Sequence, residues 1–229
     1  MAGAVAHELR NPLGAVKNAA YLLNEGANLP ETEFQETLTI LDEELARAEF
    51  IIHQLLDYTQ DKPPVPRKTQ LNQLLYSVLS HMDWAEGVEV VTQLDETLPL
   101  ILADPDQLQQ VFTNIIANGL QAMPDGGRLG IKSAVEDGRW AVITVTDTGE
   151  GISEQDRAKL FEPLFTTRTK GIGLGLALAK KFVEAHKGAI HLQSSPGKGA
   201  MFSIKLPLIV QTVARRQADE GAVLHGSKP

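Results

Sequence analysis

The strongest constraint on the fold of this chain is a spacing. From Ala2 to about Glu25 the apolar residues Leu9, Leu13, Val16, Ala20 and Leu23 step by 4, 3, 4, 3. After the polar break "GANLPET" the rhythm returns between Glu33 and Gln60, with Leu41, Leu45, Ala48, Ile52 and Leu55. A heptad seam buries its apolar row only against other helices. Two long helices joined by a short loop make a helical hairpin, and a hairpin alone covers little surface. Pairing two hairpins into a four-helix homodimer closes both seams; packing the hairpin on the rest of its own chain is the alternative. The segment "DKPPVPRK", Asp61 to Lys68, then stops the second helix, because its prolines lack the N–H that a helix needs and stiffen the joint.

Beyond that joint the pattern mixes helix and strand. Leu71 to His81 and Asp106 to Met123 read as helices, and "VEVVTQL" and "LPLILA" as strands. "GRLGIKSAV" and "RWAVITVTDTG" read as strands joined by a tight turn at "EDGR". Ser153 to Leu160 is a short helix capped by its serine, and Leu174 to His186 a longer one after a glycine-rich loop. "AIHLQSS" and "AMFSIKLP" close the series around "PGKG". Such runs predict an α+β sandwich with helices on one face of a sheet. The expected organisation is a hairpin over 1–61, a Pro-rich linker over 62–69, the sandwich over 70–208 and a flexible tail over 209–229.

Composition narrows the partners. The 229 residues carry 21 basic and 29 acidic side chains, a net charge of −8, which argues against a grip on nucleic acid. With no cysteine, disulfides and thiolate metal sites are excluded, in keeping with a reducing compartment. No apolar run approaches the ~20 residues of a membrane span, and the N-terminus lacks the basic and apolar regions of a signal peptide. A cytoplasmic protein is expected. The first helix starts without a capping signal, so the expectation is a piece cut from something longer, or a natural protein whose input comes from another chain.

Five stretches carry the chemistry. In "VAHELRNPLGAV" His7 falls off the heptad positions and should face solvent, with Glu8 beside it, Asn11 one turn on and Pro12 expected to bend the helix. In "TNIIANGLQAM" Asn114 and Asn118 are four apart, so both amides leave one face of a helix. Asparagine is a poor interior helix residue, and a carboxamide oxygen can ligate Mg²⁺; two solvated surface residues are the alternative. "TDTGEGI" ends a strand with Asp147, able to accept from an exocyclic amine, and with Gly149 and Gly151, which let a ligand approach the backbone. "TKGIGLGLALAKKF" alternates Gly171, Gly173 and Gly175 where a helix begins, a place that favours an anion. Its glycine spacing and the residues after it do not fit a Walker A loop, and it does not follow a strand in a parallel βαβ unit as a dinucleotide fingerprint would. Between the last two lies "FEPLFTTRTK", with Arg168 and Lys170 in what reads as a basic loop or a lid.

Taken together, the order Asn–x₃–Asn, Asp–x–Gly–x–Gly, "FEPLF" and Gly–x–Gly–x–Gly resembles the N, G1, F and G2 boxes of the histidine-kinase ATP-binding domain. That domain belongs to the superfamily of gyrase, Hsp90 and MutL. "VAHELRNPL" resembles the H box of a dimerisation and phosphotransfer domain, and "NGLQAMPDGGRLGI" resembles kinases of the nitrogen-regulation type. The resemblance covers residues 3 to 207. It implies that Asn118, assisted by Asn114, holds Mg²⁺, and that Asp147 reads adenine while Gly149 and Gly151 let the nucleotide lie close. Gly171, Gly173 and Gly175 would wrap the phosphates, and Arg168 or Lys170 would neutralise the γ-phosphate of ATP. His7 would be the nucleophile, since a neutral imidazole has a free lone pair near pH 7. Glu8 would orient the ring and accept its proton. Glu8 and Asn11 would also position water to dephosphorylate the aspartate of a partner, a response-regulator receiver domain.

Three positions depart from the family pattern. Ile172 stands where threonine is common, Gly119 stands where alanine is usual, and the lid from Thr166 to Thr169 is short. Three functions compete: an ATP-dependent protein-histidine kinase acting on His7, an ATP-hydrolysing clamp, and a scaffold that binds nucleotide and a receiver domain without catalysis. The clamp enzymes carry a glutamate base where Asn114 stands, and an amide cannot take a proton.

Overall fold

The computed structural model describes residues 2–25, 30–167 and 171–208. Two long helices, α1 (Ala2–Glu25) and α2 (Glu31–Thr59), pack side by side as the predicted hairpin. The face each helix buries differs from the expected seam. On α1 the covered row is Val5, Leu9, Pro12, Val16, Ala19 and Leu23, while Leu13 is 53% exposed. On α2 it centres on Ala48, Ile51 and Gln54, while Leu45 and Ile52 are 40% and 45% exposed. One hairpin buries only one side of each helix, so part of each apolar row faces outward. Pro12 lies inside α1, whose helical span continues past it.

After the prolines the chain forms β1 (Arg67–Thr69), a strand that the linker reading missed. Composition hid it, because three residues beside prolines carry no alternation to detect. β1 pairs antiparallel with β3 (Ile101–Ala103), placing Lys68 opposite Leu102. The remaining elements are α3 (Leu71–Ser80), β2 (Val88–Gln93), α4 (Pro105–Gln121), β4 (Gly127–Glu136), β5 (Trp140–Asp147), α5 (Glu154–Arg157), α6 (Gly175–Ala185), β6 (Ala189–Ser194) and β7 (Ala200–Pro207). The main sheet has the order β2-β4-β5-β7-β6; β2 and β4 are parallel and the other pairs antiparallel. At the β4–β5 turn Asp137 and Gly138 both have positive φ, the geometry that a type I′ hairpin requires.

Strand alternation builds the core. Leu129 and Ile131 of β4, Ala141, Ile143 and Val145 of β5, and Phe202, Ile204 and Leu206 of β7 point to one face. There they meet Leu71 and Leu75 of α3, Leu108, Phe112 and Ile115 of α4, and Leu178 and Phe182 of α6. This is the expected sandwich, with the helices on one side.

The hairpin is fastened to the sandwich where α2 ends. Lys181 Nζ donates to the carbonyls of Tyr58 and Gln60 at 2.7 and 2.8 Å, and Gln110 Nε2 donates to Asp57 at 3.2 Å. Asp104 anchors the following segment: Oδ2 accepts from the Val65 amide at 2.9 Å, and Oδ1 caps α4 through the amides of Asp106 and Gln107. His186 Nε2 accepts from the Asp104 N–H, and its Nδ1–H donates to the Phe182 carbonyl. Burial disfavours the Asp104 carboxylate, but the N–H groups of Val65, Gln107 and Asp106 outweigh it and hold the pKa below its ordinary value.

Candidate nucleotide and phosphotransfer site

The site begins with the cap of α4. Once Asp104 has set the start of that helix, Val111, Phe112, Ile115 and Ile116 turn into the core, and Asn114 and Asn118 emerge together on a flank. Asn114 is only 8% exposed, and its Nδ2 is buried without a hydrogen-bond partner among the described residues. Such an orphan costs roughly 1–3 kcal/mol unless a ligand satisfies it. Asn118 is half-buried, and its Nδ2 donates to the Asn114 carbonyl at 2.8 Å, which orients the amide.

Asp147 is placed by the inward phase of β5, two residues beyond Val145, and is 4% exposed. Its Oδ1 accepts from the amides of Gly149 and Ala200 at 2.9 and 3.1 Å. The carboxylate is therefore held rigidly at the sheet end. A Cβ at Gly119 would stand 2.9 Å from Leu129 Cδ1 and 3.5 Å from Asp147 Cβ. Gly119 is thus where α4 closes on β4 and β5 beside Asp147, a packing reason beyond the helix weakening that sequence alone suggests.

The turn after Asp147 is braced from two sides. A Cβ on Gly149 would collide with the Ala122 carbonyl oxygen, and the Glu150 amide donates to that same oxygen at 3.2 Å. From the β6–β7 turn, Gly199 N–H donates to Gly149 O at 3.0 Å and Gly197 N–H to Glu150 O at 2.7 Å. "PGKG", read from sequence as a plain strand connection, is a support of the site. Its signal, two glycines in a hairpin, is shared by many turns that support nothing.

The glycine loop lies against the "FEPLF" segment. Leu164 N–H donates to Gly173 O at 3.0 Å. Gly173 has φ +69°, and a side chain there would strike the Phe165 carbonyl. Leu164 itself has a positive φ, a strained conformation for a branched residue that the paired loops hold in place. Gly175 opens α6, where a Cβ would stand 3.2 Å from Asn114 Oδ1. The bare glycine lets the loop touch the asparagine helix.

These pieces enclose a cavity of about 570 Å³, a size that suits a small organic ligand. Asn114, Asn118, Asp147, Gly151, Gly171, Gly173 and Gly175 all line it, with Ile152, Leu160, Leu176 and Phe202 as an apolar wall. Gly149 braces the turn from outside the lining. Arg168, Lys170 and the Thr169 end of the lid lie outside the described residues, as does the 209–229 tail. From α1, Glu8 lines the cavity, whereas the exposed His7 and Asn11 do not. Sequence reading missed the α2 wall of Arg47, Phe50, Ile51 and Gln54, because helical periodicity does not say which domain a helix face will meet.

Ile172 shows what its departure from threonine does. It is buried with Ile51 and Leu174 in an apolar cluster that Leu9, Leu55, Tyr58 and Leu164 join. The position joins the glycine loop to the hairpin. For a metal, the carboxamides of Asn114 and Asn118 are hard oxygen donors of the kind Mg²⁺ prefers. No group of three or more His, Cys, Asp or Glu able to hold a metal occurs among the described residues. The donor set therefore fits Mg²⁺ that arrives with phosphate oxygens completing its shell.

Two family profiles match. Residues 1–63 fit the His Kinase A (phospho-acceptor) domain, and residues 103–210 fit the histidine kinase-, DNA gyrase B- and HSP90-like ATPase. Sporulation kinase E of Bacillus subtilis (strain 168) is 33% identical over 96% of this chain and 30% of its own length. Histidine kinase ThkA, solved in complex with the response regulator protein TrrA, aligns with a TM-score of 0.71 and 26% identity over 90% of this chain and 60% of that one. Full-length ShkA, solved with AMPPNP, aligns with a TM-score of 0.68 and 26% identity, over 88% of this chain and 44% of that one. The chain spans less than half the length of the curated relatives it matches. No helix among the described residues is long and apolar enough to cross a membrane. With a phospho-acceptor hairpin joined to this ATPase fold, the chain belongs to the sensor histidine kinases, as their catalytic core.

Proposed function

We propose that this chain binds ATP in the cavity between α4, the Asp147 turn and the glycine loop, transfers its γ-phosphoryl group to His7, and passes it to an aspartate of a response-regulator receiver domain. The observation that carries the reading is that Asn114, whose buried Nδ2 has no partner among the described residues, lines with Asn118, Asp147 and the glycine loop one cavity that Glu8, the neighbour of His7, also lines. Asp147, fixed by two backbone amides, accepts the adenine amine. Asn118, with Asn114, holds Mg²⁺, which when bound offsets phosphate charge. The glycine loop wraps the phosphates and Arg168 or Lys170 meets the γ-phosphate. Glu8 orients the His7 imidazole and takes its proton as the phosphoryl group arrives. An amide at position 114 supplies no base for water, which disfavours the hydrolytic clamp.

The units are a hairpin over 1–61, a linker over 62–69 and an ATP-binding domain over 70–208, leaving 209–229 as a tail. Outward Leu13, Leu45 and Ile52 supply the apolar face for a homodimer. Glu8 and Asn11 give the same helix a phosphatase activity toward the regulator. The nitrogen-regulation type, a cytoplasmic location and a separate sensor complete the reading. ThkA with its regulator and ShkA with AMPPNP support the partner and the nucleotide.

Labelled ATP with Mg²⁺ should yield acid-labile, base-stable phosphoprotein that His7→Gln abolishes. Label that survives this substitution sinks the assignment. Transfer from the phosphoprotein to a panel of receiver domains would then identify the partner.

A further inference from the structure

The hairpin wall of the cavity has no role in the nucleotide site described so far. Arg47, Phe50, Ile51 and Gln54 come from one face of α2. Ile51 is pinned, because it packs on Ile172 and Leu174, the two residues flanking Gly173 in the loop that would wrap phosphate. Arg47 and Gln54 therefore stand about one helical turn to either side of that contact, roughly 5 Å along the axis. Gln54 is only 6% exposed although it is polar. The Arg47 side chain is 30% exposed, and its ion-pair partner, Glu44, is 3.9 Å away on the same helix. A pair that long leaves most of the five guanidinium N–H donors unused by it.

Charge decides what Arg47 can do there. Among the described residues lining the cavity, Glu8, Asp147, Glu150 and Asp156 are acidic and Arg47 is the only base. A polyphosphate entering such a cavity meets like charge unless cations stand near it, and partial enclosure strengthens that repulsion. A guanidinium fork matches phosphate oxygens and stays charged at any working pH.

We infer that Arg47 is a phosphate-binding residue supplied to the ATP site by the hairpin, contacting the terminal phosphate of bound ATP. This rests on the ATP reading above. ATP then bridges the two parts of the chain, with base and sugar held by the sandwich and the terminal phosphate held partly by α2. ADP lacks the group that Arg47 grips and leaves the bridge open.

The test uses the whole chain with Mg²⁺, titrated by calorimetry with ADP and with a non-hydrolysable ATP analogue. Arg47→Gln should weaken the ATP analogue about 10-fold, as expected for losing a charge-assisted hydrogen bond. ADP should change less than about two-fold, and Arg47→Lys should fall between wild type and Arg47→Gln. An equal loss for both nucleotides, or no loss for either, overturns the role of Arg47. If Arg47→Gln melts early without nucleotide, Arg47→Lys carries the test, and an ATP-to-ADP preference equal to wild type refutes the proposal. A wild-type chain that binds neither nucleotide overturns the ATP reading and this inference together.

Discussion

The hairpin and the sandwich solve burial in opposite ways. The sandwich hides Leu71, Leu75, Leu108, Phe112, Ile115, Leu129 and Ile143 completely beneath three helices and a sheet. The hairpin buries a thin row and leaves Leu13, Leu22, Ile40, Leu45 and Ile52 at least two-fifths exposed. A sheet with helices on one face closes within one chain, whereas two helices have two apolar flanks and only one partner each. The rigid parts of the site accordingly belong to the sandwich: Asn114, Asp147 and the loops around Gly149 and Gly173. The hairpin adds Glu8 and the α2 row of Arg47, Phe50, Ile51 and Gln54 to the cavity and leaves His7 exposed beside Glu8.

The largest effect that could break this contrast is in the core. Phe112→Ala should cost about 3–5 kcal/mol in urea unfolding of the sandwich. Leu45→Ala should change that transition by less than about 0.5 kcal/mol while shifting sedimentation toward monomer. If both substitutions cost the same, the two regions are one cooperative unit and the contrast fails. Next in size, Asn118→Ala should reduce Mg²⁺-dependent nucleotide affinity by about 10- to 100-fold and leave the melting midpoint near wild type. His7→Gln should leave affinity intact and remove only the phosphoprotein.

At the joint, Ile172→Thr should give up apolar burial against Ile51 and Leu174, about 1–2 kcal/mol of contact between the two parts. Faster proteolysis near Pro63 to Pro66, with an unchanged sandwich transition, would register it; an unchanged cleavage rate would mean that Lys181 and Gln110 hold the joint alone. The smallest effect is the acid response of Asp104. Its pKa is lowered in the folded chain, so its stabilisation is full above the ordinary 3.8 and fades as pH falls through the lower folded value. Asp104→Ala should therefore cost about 1 kcal/mol, the usual worth of a cap, at pH 6, with the difference from wild type shrinking only below about pH 4. A difference already shrinking between pH 7 and 5 would refute the assignment to the Asp104 carboxylate.

Much of the sandwich was legible because its signals are local. Alternation marked β4, β5 and β7, and glycine spacing marked the loop before α6. Asn114 and Asn118 stood out because asparagine is costly inside a helix. β1 escaped, being three residues long and made by its pairing with β3. Which part of the seam on α1 and α2 one hairpin would bury was not legible either, since a heptad pattern records every apolar flank and one neighbour covers only some of them.

The sequence by itself determined the order of the helices and of every strand but β1, the break at the prolines and the residue types at the site. These depend on periodicity, on proline's missing N–H and on side-chain chemistry, all of which act within a few residues. Only the tertiary structure decided that Ile172 faces the hairpin, that Gly119 and Gly199 close on Asp147, and that Arg47 shares a cavity with Asn114. Those contacts join segments from tens to more than a hundred residues apart. Close packing between whole elements selects them, and no local pattern encodes it.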